Sequence, residues 1–179
     1  MPGMRFNPAD IDGAWLVEPE RHEDSRGWFV RTFCERSFAV QGLETRFVQH
    51  SASRTRAKGA VRGMHYQAAP HGEVKLVSCR RGAIFDVVLD LRPRSASFGQ
   101  WRGFELSAEN GRQLYIPEGC AHGFQTLCEE AEVGYLISAF YTPDAARGVR
   151  HDDPQFGISW PLPVSLMSDK DRAWPDFAP

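Results

Sequence analysis

The chain has 179 residues, 42% of them hydrophobic and 25% charged, which is enough for a single domain with a buried core. A net charge of -2 and a pI near 6.3 exclude a broadly basic surface for nucleic acid, although local arginines can still meet a small anionic molecule. No apolar leader opens the chain at Met1-Pro2-Gly3-Met4-Arg5 and no apolar run reaches membrane-spanning length, so a cytoplasmic protein without a membrane partner is expected.

In chain order, the first clear element is a short helix over 35–41, stopped by Gly42. Strand signals follow at 46–49, 61–66, 73–79, 83–91, 100–106, 113–116, 123–127 and 133–141, separated by Gly, Pro or Asn turns. The run 83–91 is the plainest, with Phe85, Val87, Leu89 and Leu91 alternating against Ile84, Asp86, Val88 and Asp90. Strands at this spacing predict an all-β closed or double-sheet architecture. The tail from 152 onward is rich in Pro and Trp and reads as irregular chain packed over the barrel, with helical turns near 168–172. The four cysteines, Cys34, Cys79, Cys120 and Cys128, show no C-x-x-C spacing and are expected as free thiols, mostly in strands.

One stretch carries a motif. Gly111 to His122 reads G-R-Q-L-Y-I-P-E-G-C-A-H, a glycine, five residues, then Pro-x-Gly-x-x-His. It resembles the second half of the bipartite cupin signature, whose histidine helps hold a metal in most members. The first half normally adds His-x-His and a glutamate. Here that region runs Gly59-Ala-Val-Arg62-Gly-Met-His65-Tyr-Gln67, with Gln67 where the second histidine would stand. The resemblance implies a cupin barrel, a double-stranded β-helix or jelly roll, that has kept its pocket and lost its metal. No metal and no cofactor are expected, and the chemistry falls to side chains.

Further motifs narrow the resemblance to one family. They are Asp24-Ser-Arg26-Gly27-Trp-Phe29, Phe47-Val-Gln49, Arg62-Gly-Met-His65-Tyr-Gln67, Val74-Lys75-Leu76-Val77 and Phe85-Asp86-Val-Val-Leu-Asp90-Leu-Arg92. Ser97-Phe98-Gly99, Ile116 to Phe124, Asp152-Asp-Pro154 and Ser168-Asp-Lys-Asp171 complete the set. Together they run nearly end to end, and the chain resembles the dTDP-4-dehydrorhamnose 3,5-epimerases. That resemblance implies inversion at C3 and C5 of dTDP-4-dehydro-6-deoxy-D-glucose, giving dTDP-4-dehydro-L-rhamnose, by a homodimer with exchanged strands. By position, it makes His65 the base, Asp171 the carboxylate that orients it, Tyr135 the acid and Lys75 the cation near the sugar carbonyl. His122 becomes a second pocket histidine. Arg26, Phe29, Gln49 and Arg62 become contacts to the nucleotide and its diphosphate. Two positions depart: Ser51 stands where the family usually has Asn, and Arg31 where it often has Glu. Both lie in the substrate-contacting half and leave the exact sugar and the extent of epimerisation open.

The residues themselves support part of this. Epimerisation beside a ketone needs a base, a group that steadies the enolate, and an acid on the opposite face. Imidazole, with an ordinary pKa of about 6.5, suits the base. A lysine between Val74 and Leu76 in an apolar strand is costly unless it meets a partner or a wet pocket. Read without the resemblance, Asp171 is a solvated carboxylate and Tyr135 a core aromatic sharing a face with Ile137 and Ala139. His122 is either a leftover metal ligand or an assistant at the carbonyl. Arginine's planar fork suits phosphate, yet in a regular strand Arg62 and His65 face opposite sides, unless Gly63 marks a bulge. Three rivals remain: a metal-dependent cupin built on His65, His71, His122 and Glu73, a non-enzymatic sugar-binding cupin, and an epimerase acting at one carbon of a related sugar.

Overall fold

The plainest alternating run of the sequence folds as a strand, Ala83–Asp90, that is buried on both faces. Ile84 and Val88 enter an apolar cluster with Leu106, Leu114, Ile116 and Phe124, while Val87 and Leu89 enter another with Met64, Phe156 and Ile158. Burial on both faces requires a layer on each side. The computed structural model, which describes residues 3–178, supplies both layers. Met1 and Pro2, which open the segment read as lacking a leader, and Pro179, the end of the tail, lie outside those residues.

The strands in chain order are β1 Met4–Pro8, β2 Trp15–Pro19, β3 Arg21–Asp24, β4 Gly27–Val30, β5 Gln49–Thr55, β6 Val61–Gln67 and β7 Lys75–Arg81. They continue as β8 Ala83–Asp90, β9 Trp101–Ser107, β10 Gln113–Ile116, β11 Cys120–Thr126, β12 Ala131–Ile137 and β13 Ala146–Gly148. Six form one sheet in the order β1-β2-β10-β7-β12-β5, and five form the other in the order β13-β6-β11-β8-β9. The two pack face to face around the first apolar cluster, which draws Val77, Leu114 and Val133 from one sheet and Ile84, Leu106 and Phe124 from the other. This is the cupin-like, all-β jelly roll expected from the motif. The hairpin β3–β4 stands apart as a two-stranded ribbon.

Each outer face has its own cover. Helix α1, Glu35–Val40, sets Phe38 against Val17, Leu76 and Tyr115 of the six-stranded sheet. Its C-terminal turn ends at Gly42, whose φ of 69° is open to glycine without side-chain cost. The tail lays Phe156, Ile158, Trp160 and Phe177 over the five-stranded sheet. It carries a single helical turn, α2 Asp169–Arg172, capped by Ser168, whose Oγ accepts the Asp171 N–H at 3.1 Å. Two expectations shift. The strand read at 46–49 lies at Gln49–Thr55, and β1–β4 and β13 had no forecast. All four cysteines are free, with Cys79 and Cys120 in strands and Cys34 and Cys128 outside them.

Candidate active site

The two sheets enclose a cavity of about 710 Å³. Of the residues singled out in the sequence, His65, Tyr135, Asp171, Lys75, Gln49, Ser51, Arg62 and His122 all line it. Arg26 and Phe29 do not. They sit on the exposed β3–β4 hairpin, where Arg26 pairs with Asp24 at 2.6 Å and Phe29 is 62% exposed.

The facing difficulty between Arg62 and His65 resolves through Gly63. On β11, His122 lies opposite His65 and Phe124 opposite Arg62, so three steps on β6 match two on β11. The extra residue is a bulge, and it returns Arg62 and His65 to one face. Gly63 has φ 131°, and a Cβ there would sit 2.5 Å from Gly123 Cα. Only glycine fits so close a crossing of two backbones.

His65 reaches the cavity from β6, and its Nε2 lies 2.6 Å from Asp171 Oδ1. The imidazole keeps 43% side-chain exposure while Asp171 keeps 6%. Burial works to raise the Asp171 carboxyl, but the hydrogen bond and charge of His65, with the Gly63 N–H and Ser168, hold it below its ordinary value. An ionised Asp171 fixes the tautomer of His65 and leaves the other ring nitrogen to act as a base.

Tyr135 stands on β12, in the opposite sheet. Burial pushes its phenol up to about 12, against a hydrogen bond shared with Ser53 at 2.9 Å. It is therefore a neutral donor at ordinary pH. Lys75 spans the two sheets, donating to the His65 carbonyl at 3.2 Å and pairing with Glu73 at 2.9 Å. Its side chain is 10% exposed and lines the cavity, so the embedded lysine of the sequence meets both a partner and a pocket.

Gln67, in place of the second cupin histidine, is a brace. Its Nε2 donates to Glu73 Oε2 at 3.0 Å and to the His71 carbonyl at 3.0 Å, and its Oε1 accepts the Thr142 N–H at 2.6 Å. Glu73 is thereby committed to Gln67 and Lys75. Among the described residues no three His, Cys, Asp or Glu side chains converge as a metal site.

Arg62 donates to Thr55 Oγ1 at 2.8 Å and to the Arg54 carbonyl at 3.2 Å, with no carboxylate partner among the described residues. Arg147 and Lys170 also line the cavity without a carboxylate partner among those residues. Such cations suit an anionic ligand. Gln49 is tied by its Oε1 to the Tyr141 N–H at 2.8 Å. Sequence reasoning missed Ser53 and Thr55 because β5 carries no hydrophobic alternation. Once Gln49 and Ser51 are placed in a strand, the period of two adds Ser53 and Thr55 to the same face. It also missed Trp174, whose indole occupies the space a side chain at Gly148 would need, beside the partner position of His65.

A jelly-roll barrel holding a histidine–aspartate pair, a neutral buried phenol and a buried lysine in one cavity defines an acid–base enzyme of the cupin class. Comparison with known proteins narrows this to a family. Residues 8–179 match the family model described as dTDP-4-dehydrorhamnose 3,5-epimerase. A relative of that name from Methanothermobacter thermautotrophicus is 46% identical over 178 residues, covering 97% of this chain and 95% of its own. The structure of a dTDP-4-dehydrorhamnose 3,5-epimerase from Bacillus anthracis, with TDP and PPi bound, superposes with a TM-score of 0.95 at 38% identity, covering 98% of this chain and 100% of that one. A dTDP-6-deoxy-D-glucose-3,5-epimerase from Legionella pneumophila, in complex with dTDP-4-keto-L-rhamnose, gives 0.90 at 40% identity, covering 96% and 92%. The chain belongs to the dTDP-4-dehydrorhamnose 3,5-epimerase family and is an isomerase.

Proposed function

We propose that the cavity inverts C3 and C5 of dTDP-4-dehydro-6-deoxy-D-glucose, giving dTDP-4-dehydro-L-rhamnose, through residues of this chain in assigned roles. One observation carries the reading: His65 and Tyr135 enter the same cavity from opposite sheets. A planar enolate held between them presents one face to each. His65, oriented by Asp171, removes the proton beside the C4 ketone. Lys75 steadies the charge that develops on the ketone oxygen. Tyr135 returns a proton from the other side, and the same cycle serves the carbon on the far side of the ketone. Gln49, Ser51, Arg62 and His122 contact the sugar and nucleotide, with Arg62 on the diphosphate.

Arg26 and Phe29 complete this reading only in a homodimer. The hairpin that carries them exposes Trp28 by 56% and Phe29 by 62%. We infer that it enters the cavity of a second copy and supplies both residues there. No helix among the described residues is long and apolar enough to cross a membrane. We place the enzyme in the cytoplasm, where a nucleotide-linked sugar is made available, as a single domain.

The test is incubation with the keto-sugar nucleotide in deuterated water, read by NMR at C3 and C5. Deuterium and inversion at both carbons are expected. His65→Asn should abolish exchange while dTDP affinity holds, and Tyr135→Phe should still exchange a proton at a carbon that no longer inverts. Each loss is about 10²–10⁴-fold. Exchange at the wild-type rate in His65→Asn overturns the base assignment, and inversion at one centre alone assigns a single-carbon epimerase.

A further inference from the structure

A second histidine–aspartate pair borders the cavity through its histidine, and its surroundings are the reverse of the first. His122 Nε2 lies 2.7 Å from Asp86 Oδ1. His122 keeps 6% side-chain exposure and Asp86 none, against 43% for His65. Asp86 Oδ2 is buried with no hydrogen-bond partner among the described residues. The other ring nitrogen of His122, Nδ1, has no partner among the described residues, and the ring lines the cavity 6.3 Å from that of Tyr135.

Electrostatics decides how many protons such a pair holds. A neutral imidazole beside an ionised Asp86 leaves one net negative charge in a dry site, with one carboxylate oxygen unsolvated. That state is costly. The charged groups around Asp86 do not remove the cost. Lys75, on β7, is already paired with Glu73, and Tyr135, on β12, is a neutral phenol. Cys79, also on β7, has its thiol pushed up to about 11 by burial, and Phe104 faces Asp86 from β9. Adding one proton makes the pair neutral overall. Burial raises the Asp86 carboxyl, which points the same way.

That proton has two possible homes, and both give one outcome. If it sits on the ring, His122 is an imidazolium with hydrogen on both nitrogens. If it sits on Asp86, the carboxyl donates to Nε2 and the neutral ring must carry its hydrogen on Nδ1. In each case Nδ1 bears a hydrogen and Nε2 is engaged by Asp86. We propose that Asp86 is a positioning residue that makes His122 a fixed hydrogen-bond donor to an oxygen of the sugar, so that the two histidine–aspartate pairs of one cavity work as a base and a donor. The inference rests on the epimerase reading of the cavity. It adds a role for Asp86, and it sets the direction of the His122 contact. The exposed pair keeps its carboxylate ionised and its imidazole free to accept a proton. The buried pair keeps its proton and gives a hydrogen bond.

The decisive measurement is made on the resting protein, without turnover. Long-range proton–nitrogen correlation of the His122 ring at neutral pH, assigned by its loss in His122→Gln, should show a protonated Nδ1. A lone pair on Nδ1 with hydrogen on Nε2 alone overturns the proposal. Kinetics gives the second arm. Asp86→Ala should lower kcat about tenfold to a hundredfold with little change in KM, and should cost nothing further in a His122→Gln background. A loss of the same size in both backgrounds means that Asp86 does not act through His122. A variant too unstable to assay leaves the ring measurement to decide. Absence of exchange and inversion at C3 and C5 in the wild type, in turn, would sink the epimerase reading without moving the ring state of His122.

Discussion

Asp171 is a residue whose local surroundings forecast two separate effects. Its carboxyl is held below its ordinary value in the folded chain, chiefly by His65 working against burial. A depressed folded pKa means that the pairing stabilises the fold above the unfolded carboxyl's pKa, and that this contribution is lost as pH falls through the lower folded value. Asp171→Asn should therefore melt below the wild type at neutral pH, and the two melting curves should converge in acid. Its kcat should fall about 10²–10⁴-fold, since the base loses its fixed tautomer. Melting temperature followed against pH checks the first outcome and steady-state rate the second. At this scale the sequence was readable where a residue type was out of place. Lys75 inside an apolar strand and Gln67 at a histidine position both announced themselves. Ser53 and Asp86 did not, because a serine in a polar run and an aspartate in an alternating strand look ordinary until their partners are known.

The element that most controls the site is β6, through its bulge. Gly63→Ala would drive a Cβ to 2.5 Å from Gly123 Cα and 2.9 Å from the His122 carbonyl, both backbone atoms that cannot swing aside. It would also place alanine at φ 131°. A destabilisation of roughly 2–5 kcal/mol is expected, read from thermal or denaturant melts. Activity should fall further than the folded fraction, because the same crossing aims His65 and Arg62. The central strands β6 to β12 were legible since each buries at least one apolar face, and their period of two survives in the sequence. The register of β5 was not. Its residues Gln49, His50, Ser51, Ala52, Ser53 and Arg54 offer no apolar alternation, since the side chains it turns to the cavity, Gln49, Ser51 and Ser53, are themselves polar. The N-terminal strands were hidden for a related reason: β3 and β4 are largely exposed, and exposure removes the hydrophobic period that reveals a strand.

For the whole molecule, the expected assembly follows from the hairpin that a single copy leaves outside its own cavity. The protein should elute at twice its 20.2 kDa chain mass. Arg26→Ala should weaken dTDP binding although Arg26 stands outside the lining of the His65 cavity in its own chain. A fully active monomer, or unchanged dTDP affinity by calorimetry, would break the exchange. The tail has a different consequence. His65, Arg62, Lys75 and Tyr135 come from strands, but Asp171, the carboxylate paired with His65, arrives on a helical turn near the far end of the chain, seated by Ser168 and by Trp174 against Gly148. The two halves of the His65–Asp171 pair are thus written in distant stretches of one polypeptide. The readiness of His65 therefore hangs on the docking of the tail: whatever loosens that turn from β6 takes away the partner of the ring without touching the strand that carries it.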